Sequence, residues 1–137
     1  GKSFTAKLPK EKYIYECRKG LVGKSDRLVF KFSEVPFRCF ALFDREQQPP
    51  VVTAPAQAAK GARALLKISG PANPRERAYR ITVTAPDGKE MLHRSKTIYG
   101  KTEYPLDFAF NDLPGIYRIS IEDAATGLNT QHEIEVK

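Results

Sequence analysis

Apolar and polar residues alternate along most of this chain. In residues 115–121, Tyr117, Ile119 and Ile121 fall on one face, while Arg118 and Ser120 point the other way. That period of two predicts a half-buried strand. The same alternation places Tyr79, Ile81 and Val83 on one face of 78–84, and Ala62, Ala64, Leu66 and Ile68 on one face of 62–69. Further strands are expected at 3–8, 13–18, 27–32, 51–54, 90–99, 104–110 and 129–136. Residues 37–43 are apolar on both faces and predict a central, covered strand. The strand at 90–99 is more polar and predicts an edge. No three-turn amphipathic helix is visible, and the Ala-rich run 56–61 is too short to be a stable helix alone.

The punctuation between these runs is turn chemistry. Ala85-Pro86-Asp87-Gly88-Lys89 predicts a hairpin, because Pro presets φ and Asp-Gly accepts the positive φ of tight turns. Further connections are expected at 33–36, 70–74 and 123–127. The clearest break is Asp44-Arg45-Glu46-Gln47-Gln48-Pro49-Pro50, which reads as a linker. Short strands with turns about every ten residues predict an all-β sandwich. The expected organisation is a small four-stranded antiparallel β-sheet segment at 1–48, followed by an antiparallel β-sandwich of about seven strands at 49–137. Phe30, Phe32, Phe37, Phe40 and Phe43 put too much aromatic surface on the first segment to leave wet. Its uncovered face is therefore expected to meet the second segment, a second copy or a further domain, with self-association through the 1–48 sheet as one outcome.

Two stretches carry a resemblance. The run Asn111-Asp112-Leu113-Pro114-Gly115-Ile116-Tyr117 is similar to the tyrosine corner of immunoglobulin-like sandwiches, with an acid and a glycine just before the tyrosine. Together with 84–89 and Asp123-Ala124-Ala125-Thr126-Gly127, residues 78–136 resemble the immunoglobulin-like and macroglobulin-like modules of large exported bacterial proteins. Ile119 stands where antibody domains place the second cysteine of their inter-sheet disulfide. Residues 8–43, around Tyr13-Ile14-Tyr15-Glu16-Cys17-Arg18-Lys19-Gly20 and Gly23-Lys24-Ser25-Asp26, resemble the β-rich C-terminal region of secreted bacterial glycoside hydrolases related to β-galactosidases. The catalytic carboxylates of those enzymes sit on a barrel, so the resemblance brings no catalytic residue to this chain. It implies an immunoglobulin-like fold and a non-catalytic accessory or interaction module of a larger exported protein, periplasmic or extracellular. The parent would be a glycoside hydrolase. The alternative is a stand-alone adhesion or protein-binding domain. Expected partners are other domains of the parent, another protein or a glycan.

Composition narrows the chemistry. The formal net charge is +7, and residues 1–34 hold nine Lys or Arg against four Asp or Glu. These charges are spread singly between apolar residues rather than clustered with aromatics, which argues against a nucleic-acid face. No apolar run is long enough for a membrane span. The opening Gly1-Lys2 lacks a Met and reads as a processed or cloned end. Asp107, Asp112, Glu122 and Asp123 are expected as solvated acids at turns or outward positions rather than as a catalytic pair. His93 and His132 are expected at the surface. No nucleophile motif, phosphate loop or metal spacing is present, so no catalytic residue, cofactor or metal is expected.

Two kinds of residue remain as candidates. Tyr99, beside Gly100-Lys101-Thr102-Glu103, is a surface aromatic able to stack on a sugar or a protein. Tryptophan, the largest stacking side chain, is absent. Cys17 and Cys39 are either two small buried hydrophobes or one disulfide between neighbouring strands of an exported protein.

Overall fold

The structure is a computed structural model and describes residues 2–32, 37–69 and 76–137. The expected turn at 33–36 and the loop at 70–74 lie outside these residues. Among the described residues there is no α-helix, and the fold is all-β. The chain divides into two compact units. The first comprises residues 1–47 with 124–127, and the second comprises 48–123 with 128–137. The division falls within the expected linker. Residues 124–127 join the first unit, which a chain read in order does not suggest.

In the first unit, β1 (Ser3–Glu16), β2 (Gly20–Lys31) and β3 (Phe40–Phe43) form one antiparallel sheet in the order β2-β1-β3. The four expected strands are three, because 3–8 and 13–18 belong to one long strand. Its ladder steps from Lys7 opposite Arg27 to Lys12 opposite Ser25. Residues 8–11 thus face a single residue, Asp26. Pro9, which has no N–H to give to a ladder, lies inside this bulge. Bulges bend strands, and this one lets the β1–β2 ribbon curl. Phe30, opposite Phe4 at one end of the ribbon, thereby meets Phe40, opposite Glu16 at the other, with ring centroids 5.8 Å apart. Phe4 and Phe32 complete the ring cluster at 5.5–5.8 Å separations.

The expected central strand at 37–43 is shorter and lies at an edge. Among the described residues, Phe40–Phe43 is the part that forms a ladder, with Tyr13–Glu16 of β1. Its apolar run is therefore not covered on both faces: Phe37 is 69% exposed and Leu42 40%. Ile14 and Tyr15 are buried. The Tyr15 ring meets Phe43 edge-on, and its hydroxyl accepts the Gln47 N–H at 2.8 Å.

The second unit is the sandwich. One sheet holds β4 (Val51–Thr53), β6 (Arg63–Ser69) and β9 (Glu103–Asp107), in the order β4-β6-β9. The other holds β5 (Gln57–Ala58), β7 (Ala78–Thr84), β8 (Lys96–Tyr99), β10 (Gly115–Asp123) and β11 (Asn129–Val136), in the order β5-β11-β10-β7-β8. Inward residues from both sheets share one core. Leu66, Ile68 and Leu106 come from the first sheet, and Tyr79, Ile81, Ile119, Ile121 and Ile134 from the second. Burying each aliphatic side chain is worth about 1.5–3 kcal/mol, so the period-two pattern fixes which face turns inward.

The chain from 51 to 58 serves both sheets. Val51–Thr53 pairs antiparallel with β6, and after Pro55 the pair Gln57–Ala58 runs parallel to β11. This two-residue pairing, hidden in the Ala-rich stretch, is the one parallel contact in the described sheets. It shortens the exposed edges, a common protection against edge-to-edge pairing. The expected strand at 90–99 is regular only from Lys96 to Tyr99 and does lie at an edge. Residues 92–94 turn instead, with Arg94 and Ser95 N–H both donating to Met91 O. The strand expected to reach 110 ends at Asp107, although Phe108 stays buried.

Candidate functional site

Tyr117 is anchored to the turn that precedes its strand. Tyr117 is 1% exposed, and its hydroxyl donates to Leu113 O at 2.8 Å. Burial raises its pKa, with the Asp112 charge adding to the effect. Beside it, Asp112 is not the solvated turn acid expected from sequence. Arg94 grips it through two bonds of 2.7 and 3.1 Å, and the Ala109 N–H donates to it at 2.7 Å. Burial pushes this carboxyl up, but the guanidinium and the N–H outweigh burial and hold it below its ordinary value. Asp123 corrects the same expectation: it is 1% exposed and bonded to Arg77 at 2.9 Å. A buried acid at a strand end survives only with such a partner. Asp107 does lie in solvent, in a bidentate pair with Arg63 at 2.6 and 2.9 Å. All three acids are paired to arginines.

Tyr99 is 71% exposed at the end of β8. The following residues, Gly100 to Glu103, line a shallow groove of about 730 Å³ with Arg63, Leu65 and Pro105. Tyr99 does not line it, so the aromatic and the groove are separate features. His93 is exposed, and His132 is half-buried with Nε2 3.2 Å from Pro55 O. Among the described residues, no group of three His, Cys, Asp or Glu side chains is placed to hold a metal ion.

The densest chemistry is at the turn end of the first unit. Extending the β1–β3 register past Glu16 opposite Phe40 sets Cys17 opposite Cys39, and Cys17 N–H donates to Cys39 O at 2.9 Å. Their Sγ atoms are 3.3 Å apart, with no S–S bond between them. Cys17 is half-buried and Cys39 exposed, so the reading of two buried small hydrophobes does not describe them. Next to them, Arg38 clamps Glu16 through two bonds of 2.7 and 2.9 Å, and Lys19 reaches the same carboxylate at 3.2 Å. The Arg38 bonds, with Lys19 assisting, hold the Glu16 carboxyl below its ordinary value despite desolvation. The Arg38 guanidinium also lies 5.5 Å from the Phe40 ring centre, a cation–π distance.

The hairpin turn itself is strained. Arg18 has φ 64°, a left-handed value uncommon outside glycine. Its N–H donates to Ala124 O at 2.9 Å. Together these residues line an open groove of about 620 Å³, with Phe37 as an exposed apolar wall and Ala124 and Ala125 on another side. Sequence reasoning singled out the two cysteines but not Arg38, Lys19, Glu16 or Phe37. The available signal was that both cysteines have basic neighbours, in Cys17-Arg18-Lys19 and Arg38-Cys39.

No protein-family model matches the chain, and no curated protein matches it.

Proposed function

We propose that this chain is a non-catalytic accessory module of a larger exported bacterial protein, with a glycoside hydrolase as parent, and that its first unit docks against a neighbouring domain. The observation that supports this reading is the aromatic surface the first unit leaves in water. Phe4, Phe32 and Phe37 are 43%, 37% and 69% exposed, and Leu21, Val22 and Val29 are each about half exposed. Of these residues, Phe4 and Phe32 pack ring against ring with Phe30 and so form a joined apolar surface, the kind that marks an interaction site more often than scattered exposed residues do. Residues 1–34 also carry the basic excess of the chain, which favours an acidic partner. Arginine pairing of Asp107, Asp112 and Asp123 fits the non-catalytic part of the proposal. Among the described residues, no helix is long and apolar enough to cross a membrane.

A second reading, a stand-alone adhesion or protein-binding domain that touches a glycan, draws on the exposure of Tyr99. Two measurements separate them. Under the first, light scattering at rising concentration shows self-association of the isolated chain, weakened by Phe37→Ser and Phe4→Ser. Under the second, a glycan array shows binding that Tyr99→Ala abolishes. A chain that stays monomeric at every concentration overturns the docking proposal.

A further inference from the structure

We infer that Cys17 and Cys39 form a reversible dithiol–disulfide switch at the mouth of the Arg38 groove. Two observations converge on it. The two residues lie one position beyond the paired stretches Tyr13–Glu16 and Phe40–Phe43, joined by the 2.9 Å bond from Cys17 N–H to Cys39 O. Facing residues of antiparallel segments have Cα atoms about 4.5–5.5 Å apart, inside the range a disulfide spans. The Sγ atoms already lie 3.3 Å apart, so bond formation needs side-chain rotation and no strand movement.

A metal clip fits less well. Two thiolates 3.3 Å apart, each at about 2.3 Å from a zinc ion, would subtend only about 90° rather than the tetrahedral angle. Among the described residues, no third and fourth ligand completes a set.

The unequal exposure of the pair assigns the roles. Cys39 is exposed and Cys17 half-buried. The Cys39 thiolate attacks one sulfur of a small disulfide such as oxidised glutathione, releasing one thiolate and leaving a mixed disulfide. Cys17, at 3.3 Å, then attacks Cys39 Sγ as its thiolate and expels the second thiol. The protein is oxidised by two electrons, and the external disulfide is reduced to two thiols. An exposed bond of this kind belongs to the labile, regulatory class rather than the deeply buried structural one. It would tie the entry of β3 to the β1–β2 hairpin, and so fix the wall that Arg38 and Phe37 give to the groove. Reduction would release that wall.

The test uses the full chain. Reduced protein is incubated with oxidised glutathione under native conditions, then alkylated and mapped by mass spectrometry. The expected product has lost two hydrogens, has no alkylatable thiol and yields a peptide carrying Cys17 joined to one carrying Cys39. A thiol reductant restores it. Cys17→Ser should stop at a stable glutathione adduct on Cys39. In the oxidised wild type, the Cys17 amide should exchange at least about tenfold more slowly than in the reduced form, as loop closure across this span implies. A wild-type product that remains a mixed disulfide, that cross-links only between chains, or that keeps both thiols overturns the switch. So does an unchanged Cys17 exchange rate. The wild-type map stands by itself if the serine variant does not fold.

Discussion

Replacing Tyr117 separates a hydrogen bond from a cavity at the corner of the sandwich. In Tyr117→Phe the ring stays and only the hydroxyl is lost, along with its 2.8 Å bond to Leu113 O. One such bond is worth about 1 kcal/mol net, because the unfolded chain bonds to water instead. In Tyr117→Ala the ring goes too. It is 1% exposed and packs edge-on against Phe108 with centroids 5.0 Å apart. Removing a buried aromatic ring costs about 3–5 kcal/mol through lost transfer energy and cavity, and the lost ring pair accounts for roughly 1 kcal/mol of that. Urea unfolding followed by circular dichroism gives both values. Amide exchange at Ile119 and Ile134, both fully buried, reads the sandwich itself. The expected order is wild type, then Phe about 1 kcal/mol lower, then Ala about 4 kcal/mol lower. Equal losses for both variants would refute the reasoning: small ones would mean that the ring does not carry the core, large ones that the hydroxyl does.

Two further outcomes follow from the turns and the charges. Gly127 has φ 74°, and a Cβ there would lie 2.8 Å from the Arg18 carbonyl carbon and 2.9 Å from Lys19 N, whereas Gly88, at φ 83°, faces open space. Gly88→Ala should therefore cost only the left-handed strain of about 1 kcal/mol, and Gly127→Ala clearly more; equal melting-point losses would show that the close backbone approach is absent. Asp44 is held at about 2 by hydrogen bonds from Lys12 and Lys10, while Glu16 and Asp107 are lowered by Arg38 and Arg63 respectively. Depressed carboxyl pKa values contribute stability that is complete above the unfolded values and is lost as pH falls through the folded ones. The melting point should therefore drop between about pH 4 and pH 2, and less steeply in Asp44→Asn; a flat profile through that window would contradict the pairing.

Much of the sandwich was legible because its signal is local. A strand with one face in the core must alternate, so Tyr79-Ile81-Val83 and Tyr117-Ile119-Ile121 announced both strand and inward face. Asp87-Gly88 announced its turn for an equally local reason, since few residues accept φ 83° there. The anchoring of Tyr117 is local too, because its hydroxyl reaches a carbonyl only four residues back.

What the tertiary structure decided were pairings between residues distant in sequence. Long-range ladder contacts leave no periodicity of their own. The merging of 3–8 with 13–18 depended on a bulge that the ladder with β2 defines, and Pro9 alone read as a break. The apolar run 37–43 looked central, yet among the described residues Phe40–Phe43 pairs with β1 alone, so it is an edge, with Phe37 in water. Asp123 looked like a solvated turn acid until the fold brought Arg77 to it across 46 positions. Likewise, sequence alone left Cys17 and Cys39 as either packing residues or a bonded pair. Their facing positions and their 3.3 Å separation come from the register of β1 with β3, which is set by how Tyr13–Glu16 pairs with Phe40–Phe43 and by no residue near either cysteine alone.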